Sequence, residues 1–252
     1  MLPLSVHMVA WPSTRAGLPA AARLGFRAAE VFALGLWAND AGVVAGWLAD
    51  TGVQLSAVFL DLPVDPAEAA VQAGRAAAAA ASFGASRLIV TANGDDLGVA
   101  TEAVAAAGAA SAAAGVRLCL HPHQDTAVES AARTAAVLGA TDADHVWVCV
   151  DTGHLLAAGD DPAAAIAAWA PRLAAVHLKD LDSDGRIVAA GTGRLPLAAA
   201  LAAIDAAVAA GSPVEHLTLE VEGTGDNEAA LVASAAAVHA ALGSHAGSGG
   251  RS

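Results

Sequence analysis

Four apolar runs in this chain each end in histidine or carboxylate side chains, the donors that suit divalent metals from magnesium to zinc. Val116 to Leu120 runs into His121-Pro122-His123, and Val146 to Val150 into Asp151-Thr152-Gly153-His154. A third run reaches Val176-His177-Leu178-Lys179-Asp180, which carries the chain's only lysine, and a fourth ends in Glu220-Val221-Glu222. Side chains alternate faces along a strand, so His177 and Lys179 point the same way. Ionisable groups facing a core are costly when isolated, so a gathering of them implies mutual pairing or a bound cation. A divalent ion beside a base would stabilise the enediolate formed when a proton leaves the carbon next to a ketone. Reprotonation on carbon then yields an isomer or epimer, and loss of a β-hydroxyl yields a dehydration.

Such a gathering needs elements that converge. Eight strand-like stretches can be marked, near residues 4–9, 27–32, 53–60, 87–91, 116–120, 146–150, 174–178 and 216–221, and they alternate with Ala-rich stretches of helical length. Alanine is the strongest helix former, and its small side chain lets a helix lie close on a sheet. Strict alternation eight times over predicts an α/β chain folded as a single (β/α)8 TIM barrel over residues 1–242, with its active mouth where the strands end. Gly25, Gly52, Gly84, Gly115 and Gly211 fall between a helix and the next strand, where a left-handed cap is expected. Asp161-Pro162 reads as a helix cap followed by proline at the first helical position. No G-x-G-x-x-G follows a strand, which disfavours an open dinucleotide-binding sheet. The Gly/Ser-rich residues 243–252 are expected to form a flexible tail.

Reading only strand ends adds His7 from the first strand and Glu30 from the second. Each suits a substrate contact or a satisfied interior group. The formal net charge of −13, with twelve basic residues scattered singly, offers no electropositive stripe to nucleic acid and would attract a divalent cation. Charges and breaks in the Ala-rich segments argue against a membrane span. Cys119 and Cys149 fall inside strands and read as small core residues, in keeping with a reducing, cytoplasmic setting. The opening Met1-Leu2-Pro3-Leu4 lacks a charged, then apolar, leader pattern, so no secretory signal is expected. Ala-rich helix faces permit a homo-oligomer without requiring one.

The runs Gly25-Phe26-Arg27-Ala28-Ala29-Glu30-Val31, His121-Pro122-His123, Asp151-Thr152-Gly153-His154-Leu155 and Val176-His177-Leu178-Lys179-Asp180 resemble the xylose isomerase-like barrel superfamily of sugar isomerases and epimerases. Within it they are most similar to inosose dehydratases and related sugar phosphate isomerase/epimerase proteins. The resemblance implies one divalent ion (Mn, Co, Mg or Zn) held by Asp151, His177, Glu220 and a group from the fifth strand. Many members carry glutamate where this chain has His121. Either His121 binds the ion, or Glu129 reaches in before the next helix; Glu129 is preferred here because three carboxylates and one histidine preserve the usual charge. Glu129 also suits a plain helix-start carboxylate.

His121, His123, Glu220 and Glu222 are the acid/base candidates, with Lys179 as donor to a departing or developing oxyanion. His7, Glu30, His154 and Glu222 are expected to face a small polyol or keto-sugar. Dehydration of a keto-inositol is the leading expectation and ketose isomerisation or epimerisation the alternative. A barrel that binds a polyol without turning it over, or serves as an inactive partner subunit, is the rival from another class, motivated by the missing glutamate.

Overall fold

The computed structural model describes residues 2–248. Eight parallel strands close into a barrel: β1 (Leu4–His7), β2 (Ala28–Phe32), β3 (Gln54–Leu62), β4 (Arg87–Ala92), β5 (Arg117–Leu120), β6 (Val146–Asp151), β7 (Leu173–Leu178) and, after a small antiparallel hairpin of β8 (Asp180–Leu181) and β9 (Ile187–Val188), β10 (Leu217–Leu219). Hydrogen-bonded neighbours run β1-β10-β7-β6-β5-β4-β3-β2, so the last barrel strand pairs with the first. The helices are α1 (Thr14–Arg23), α2 (Ala33–Trp37), α3 (Ala41–Thr51), α4 (Pro66–Ser82), α5 (Leu97–Ala113), α6 (Ala131–Ala140), α7 (Thr152–Ala158), α8 (Pro162–Trp169), α9 (Leu197–Ala209) and α10 (Asn227–Ser248). The (β/α)8 expectation is therefore met. None of the described helices is long and apolar enough to cross a membrane.

Two buried layers result. Inside the barrel, Ala57, Phe59, Ile89, Cys119, Cys149, Ala174 and Ala175 pack together, which puts both free cysteines in the interior below the mouth. Outside it, aliphatic strand residues meet the alanine faces of the helices; in α4 the buried set is Ala69, Ala73, Ala76, Ala77 and Ala80, at the spacing of one helical face. At the opposite end from the mouth, buried Arg87 donates to the carbonyls of Ala174 and Pro213 and pairs with Glu215 at 2.7 Å.

Two details matter for the mouth. The pairing register shifts between Ala29 and Glu30 and again between Val148 and Cys149, irregularities of the kind that re-aim the side chains that follow. The short helices α2 and α7 follow directly on β2 and β6. α7 starts one residue after β6 because Asp151 caps it, accepting from the His154 amide at 2.8 Å. At the other end of the chain α10 continues to Ser248, and the remainder of the expected tail lies outside the described residues.

Candidate active site

His121, Asp151, His177 and Glu220 come from the ends of β5, β6, β7 and β10, and one ligand atom from each lies within 4.8 Å of all the others. Asp151 Oδ2 is 3.4 Å from His121 Nε2 and 3.8 Å from His177 Nδ1, and Glu220 Oε2 is 2.7 Å from His177 Nδ1. All four residues are buried, yet none of these four atoms has a partner in hydrogen-bond geometry. Buried polar atoms are normally satisfied, so four convergent unpartnered atoms mark a place for something else. On its other face His177 donates from Nε2 to Glu30 Oε2 at 2.9 Å, which leaves Nδ1 as the ring nitrogen directed at the cluster. A carboxylate behind an imidazole is the usual way a metal-binding histidine is oriented. Two carboxylates and two imidazoles thus fit a divalent cation.

Glu30 itself sits beneath this group, with Oε1 3.5 Å from His7 Nε2. His7 accepts the Val9 amide at Nδ1, so its ring proton is on Nε2 and faces Glu30. Both are almost fully buried and are set behind His177, in a supporting layer. Glu129 is not brought into the cluster. α6 begins only at Ala131, with Ser130 as its cap, and Glu129 is exposed on the preceding loop. His121 occupies the fifth-strand place in the group, so the preference for Glu129 over His121 has no geometric support.

Each residue of Asp151-Thr152-Gly153-His154 serves Lys179. Thr152 Oγ1 accepts the Lys179 amide at 3.0 Å and donates to its carbonyl at 2.7 Å, pinning the end of β7. A Cβ on Gly153 would lie 2.5 Å from Lys179 Cγ, so only glycine leaves room for the lysine stem. His154 Nε2 lies 3.2 Å from Lys179 Nζ. The ammonium also meets Glu220 Oε1 at 2.7 Å, Glu222 Oε1 at 3.5 Å and Asp151 Oδ2 at 3.7 Å. Lys179 does not pair with Asp180. The Asp180 carboxylate instead accepts the amides of Leu181, Gly191, Gly193 and Leu195 at 2.8–2.9 Å, organising the loop beyond β9.

The electrostatics follow from this packing. Burial opposes the charge on Lys179, but Glu220 and Asp151 more than offset it and hold the ammonium protonated, above its usual range. Burial would raise Asp151 and Glu220, and Lys179 drives both below the usual carboxylate range. Burial lowers His121, and it takes His154 down to about 3, so His154 is neutral at physiological pH.

At the rim, half-buried His123 stacks on His154 with ring centroids 4.1 Å apart, and its Nδ1 meets the Gln124 carbonyl at 2.8 Å. Glu222 is partly exposed beside Lys179. Phe59 places its ring against His7 and His121, and Phe32 packs edge-on to both Phe59 and His7, so one wall of the mouth is aromatic. Trp11 is tied to Glu228, whereas Trp37, under Arg75, lines a small cavity together with Phe32 and Phe59. Sequence reasoning had assigned no role to Thr152, Gly153 or Gln124. The first two lie inside a quoted motif; Gln124 carried no signal, because its partner His154 is thirty positions away.

A family model described as xylose isomerase-like TIM barrel matches residues 18–240. An inosose dehydratase of Clostridium beijerinckii is 34% identical over 70 residues, 28% of this chain and 24% of that protein. The match thus spans about a quarter of the relative's length. Among solved structures, an L-ribulose 3-epimerase superposes with a TM-score of 0.79 at 20% identity, over 100% of this chain and 99% of that one. A probable 3-DHS dehydratase of Bacillus anthracis superposes with a TM-score of 0.74 at 16% identity, over 94% and 99% of the two chains. At these identities the superpositions speak for the fold.

Proposed function

Because this chain belongs to the xylose isomerase-like TIM-barrel family, we propose that it is a divalent-metal-dependent enzyme that dehydrates a small polyhydroxylated ketone, with keto-inositols as the substrate class. The observation that carries this reading is the convergence of four unpartnered donor atoms beside a buried, protonated lysine. The partial likeness to inosose dehydratases supports the choice of dehydration. His121, Asp151, His177 and Glu220 would hold the ion, and their two imidazoles suit Mn, Co or Zn better than Mg. When bound, such an ion supplies Lewis-acid stabilisation of negative charge developing on the ketone oxygen.

The chain's own residues do the rest. His123, with Nδ1 committed to a backbone carbonyl, offers Nε2 as the base that removes the α-proton. Lys179, held protonated among Glu220, His154 and Glu222, donates to the departing hydroxyl. Phe32 and Phe59 exclude water from one side and present an apolar face to the ring carbons of the substrate. A second reading, isomerisation or epimerisation of a ketose, begins with the same proton abstraction. It is favoured by Glu222, a second carboxylate at the mouth able to return a proton to carbon.

The test is elemental analysis of the purified protein, then incubation of the Mn-loaded form with keto-inositols and ketoses in deuterated water. One equivalent of metal, with exchange and loss of water from one substrate, is the expected result. Exchange without a change of mass beyond deuterium would move the assignment to epimerisation. Neither metal uptake nor exchange would overturn both readings in favour of a binding barrel.

A further inference from the structure

We propose that Gln124 is a positioning residue that sets the ring-proton placement of His154, leaving both mouth imidazoles with Nε2 lone pairs. The inference deepens the reading above and rests on it only for the reaction served. An ammonium group donates and never accepts, so His154 Nε2, 3.2 Å from Lys179 Nζ, is an acceptor. The ring of a neutral histidine carries one proton, which must then sit on Nδ1. Gln124 Oε1 lies 2.7 Å from that Nδ1 and is the acceptor it needs, at far shorter range than the Gln124 backbone amide, which approaches the same nitrogen only at 3.5 Å. The same argument orients the Gln124 amide, because its NH2 end in that place would meet an N–H.

His123 is set independently. Its Nδ1 is 2.8 Å from the Gln124 backbone carbonyl, which only accepts, so Nδ1 bears the proton and Nε2 is bare. One residue therefore anchors two stacked rings, one by its side chain and one by its backbone. The turn that presents it is held at some conformational cost. Asp125, next in the chain, has φ of 60°, the only non-glycine with positive φ among the described residues, and Thr126 Oγ1 donates to the His123 carbonyl at 2.7 Å. With His154 fixed as an acceptor, Lys179 keeps a neutral partner besides the carboxylates of Glu220, Glu222 and Asp151, and its ammonium stays centred on the mouth. With His123 fixed as Nδ1–H, a base faces it. Gln124 touches neither the ion-binding group nor Lys179 directly and acts through the rings.

Long-range ¹H–¹⁵N spectra of the uniformly ¹⁵N-labelled full chain, loaded with diamagnetic Zn²⁺ at neutral pH, read the tautomers directly, and His154→Asn and His123→Asn assign the two rings. Both histidines are expected in the Nδ1–H form. Gln124→Leu should shift His154 toward Nε2–H while leaving His123, whose acceptor is backbone, unchanged. Gln124→Glu, which keeps an acceptor oxygen, should restore the parent pattern. Gln124 is exposed, so these variants are expected to fold. With any ketone that exchanges its α-proton, Gln124→Leu should lower kcat on the order of tenfold with little change in KM, and Gln124→Glu should recover part of it. An Nε2–H His154 in the parent, an unchanged His154 in Gln124→Leu, or a shifted tautomer with unaltered kcat would each overturn the proposal. Tautomers as expected without turnover of any ketone would uphold the proton placement and sink the proposed function instead.

Discussion

Asp151 carries two loads on two oxygens: Oδ1 caps α7 through the His154 amide, and Oδ2 faces the donor cluster. Substituting alanine would remove both and confuse a lost metal with a frayed helix, at a capping cost of about 1 kcal/mol. Asparagine keeps an acceptor for the cap and removes the charge. Asp151→Asn is expected to melt close to the parent in the presence of chelator, yet to bind Mn²⁺ far more weakly by calorimetry; equal affinity would exclude Asp151 as a ligand. Glu30→Gln tests the layer behind it. The loss of a charged partner for His177 Nε2 should weaken metal binding by about 10–100-fold, whereas an unchanged affinity would make Glu30 a packing group. His154 supplies a pH signature. The fold keeps it neutral down to about 3, while in the unfolded chain it protonates at about 6.5. The unfolded state therefore binds the extra proton, and stability falls as pH drops through that window by on the order of 1 kcal/mol per unit, then levels below it. Urea unfolding of the metal-free protein at several pH values should show this loss, and His154→Gln should reduce it without abolishing it, because burial also lowers His7 and His121.

Among the elements, the loop from β7 to α9 is held by one buried carboxylate, that of Asp180. Gly191-Thr192-Gly193 is a glycine-rich turn, yet its two glycine amides are taken up by the protein's own Asp180 and its threonine amide by the Ala189 carbonyl. Gly193 has no room for a side chain, since a Cβ would lie 2.4 Å from the Leu181 carbonyl oxygen and 2.6 Å from Asp180 Oδ1. Because both neighbours are anchored, the strain of Gly193→Ala cannot be relieved by a side-chain rotation. This substitution should destabilise the protein by about 1–3 kcal/mol, the range for overpacking, and hydrogen exchange should quicken at residues 191–195 before it does in the barrel strands. Uniform protection across both regions would mean that Asp180 does not organise the loop as a unit.

On the scale of the whole molecule, the barrel brings Asp151, Glu220 and Glu30 into one buried neighbourhood, against which, among the described residues, Lys179 is the one lysine or arginine paired with the group. A folded state that concentrates negative charge in this way gains from any dication that binds it and not the unfolded chain. At 100-fold excess over its Kd, such a ligand contributes about 2.7 kcal/mol, which for a chain of this size corresponds to a rise in Tm on the order of 5–10 °C. Addition of Mn²⁺ or Co²⁺ to chelator-treated protein should produce that rise, and EDTA should reverse it. A Tm insensitive to Mn, Co, Zn and Mg alike would leave the cluster as an internal hydrogen-bonding group and remove the basis for metal-assisted chemistry.

Most of the architecture was legible because it depends on local periodicity. Eight apolar runs separated by alanine-rich helices, with glycine after the helices, leave few alternatives to a closed parallel barrel, and that topology delivers every strand's C-terminal end to one mouth. Strand-end position thereby nominated His121, Asp151, His177, Lys179 and Glu220 from sequence alone. What sequence could not rank was His121 against Glu129, since charge balance favoured the glutamate. The structure brings His121 to the group and, because α6 starts only at Ala131, leaves Glu129 on an exposed loop. Nor could it place Glu30 behind His177 or Gln124 beside His154, pairs separated by 147 and 30 positions. Strand order and residue type are written along the chain, whereas the direction of a ring nitrogen and the partner it meets depend on register shifts and loop closure across the barrel, which only the tertiary structure resolves.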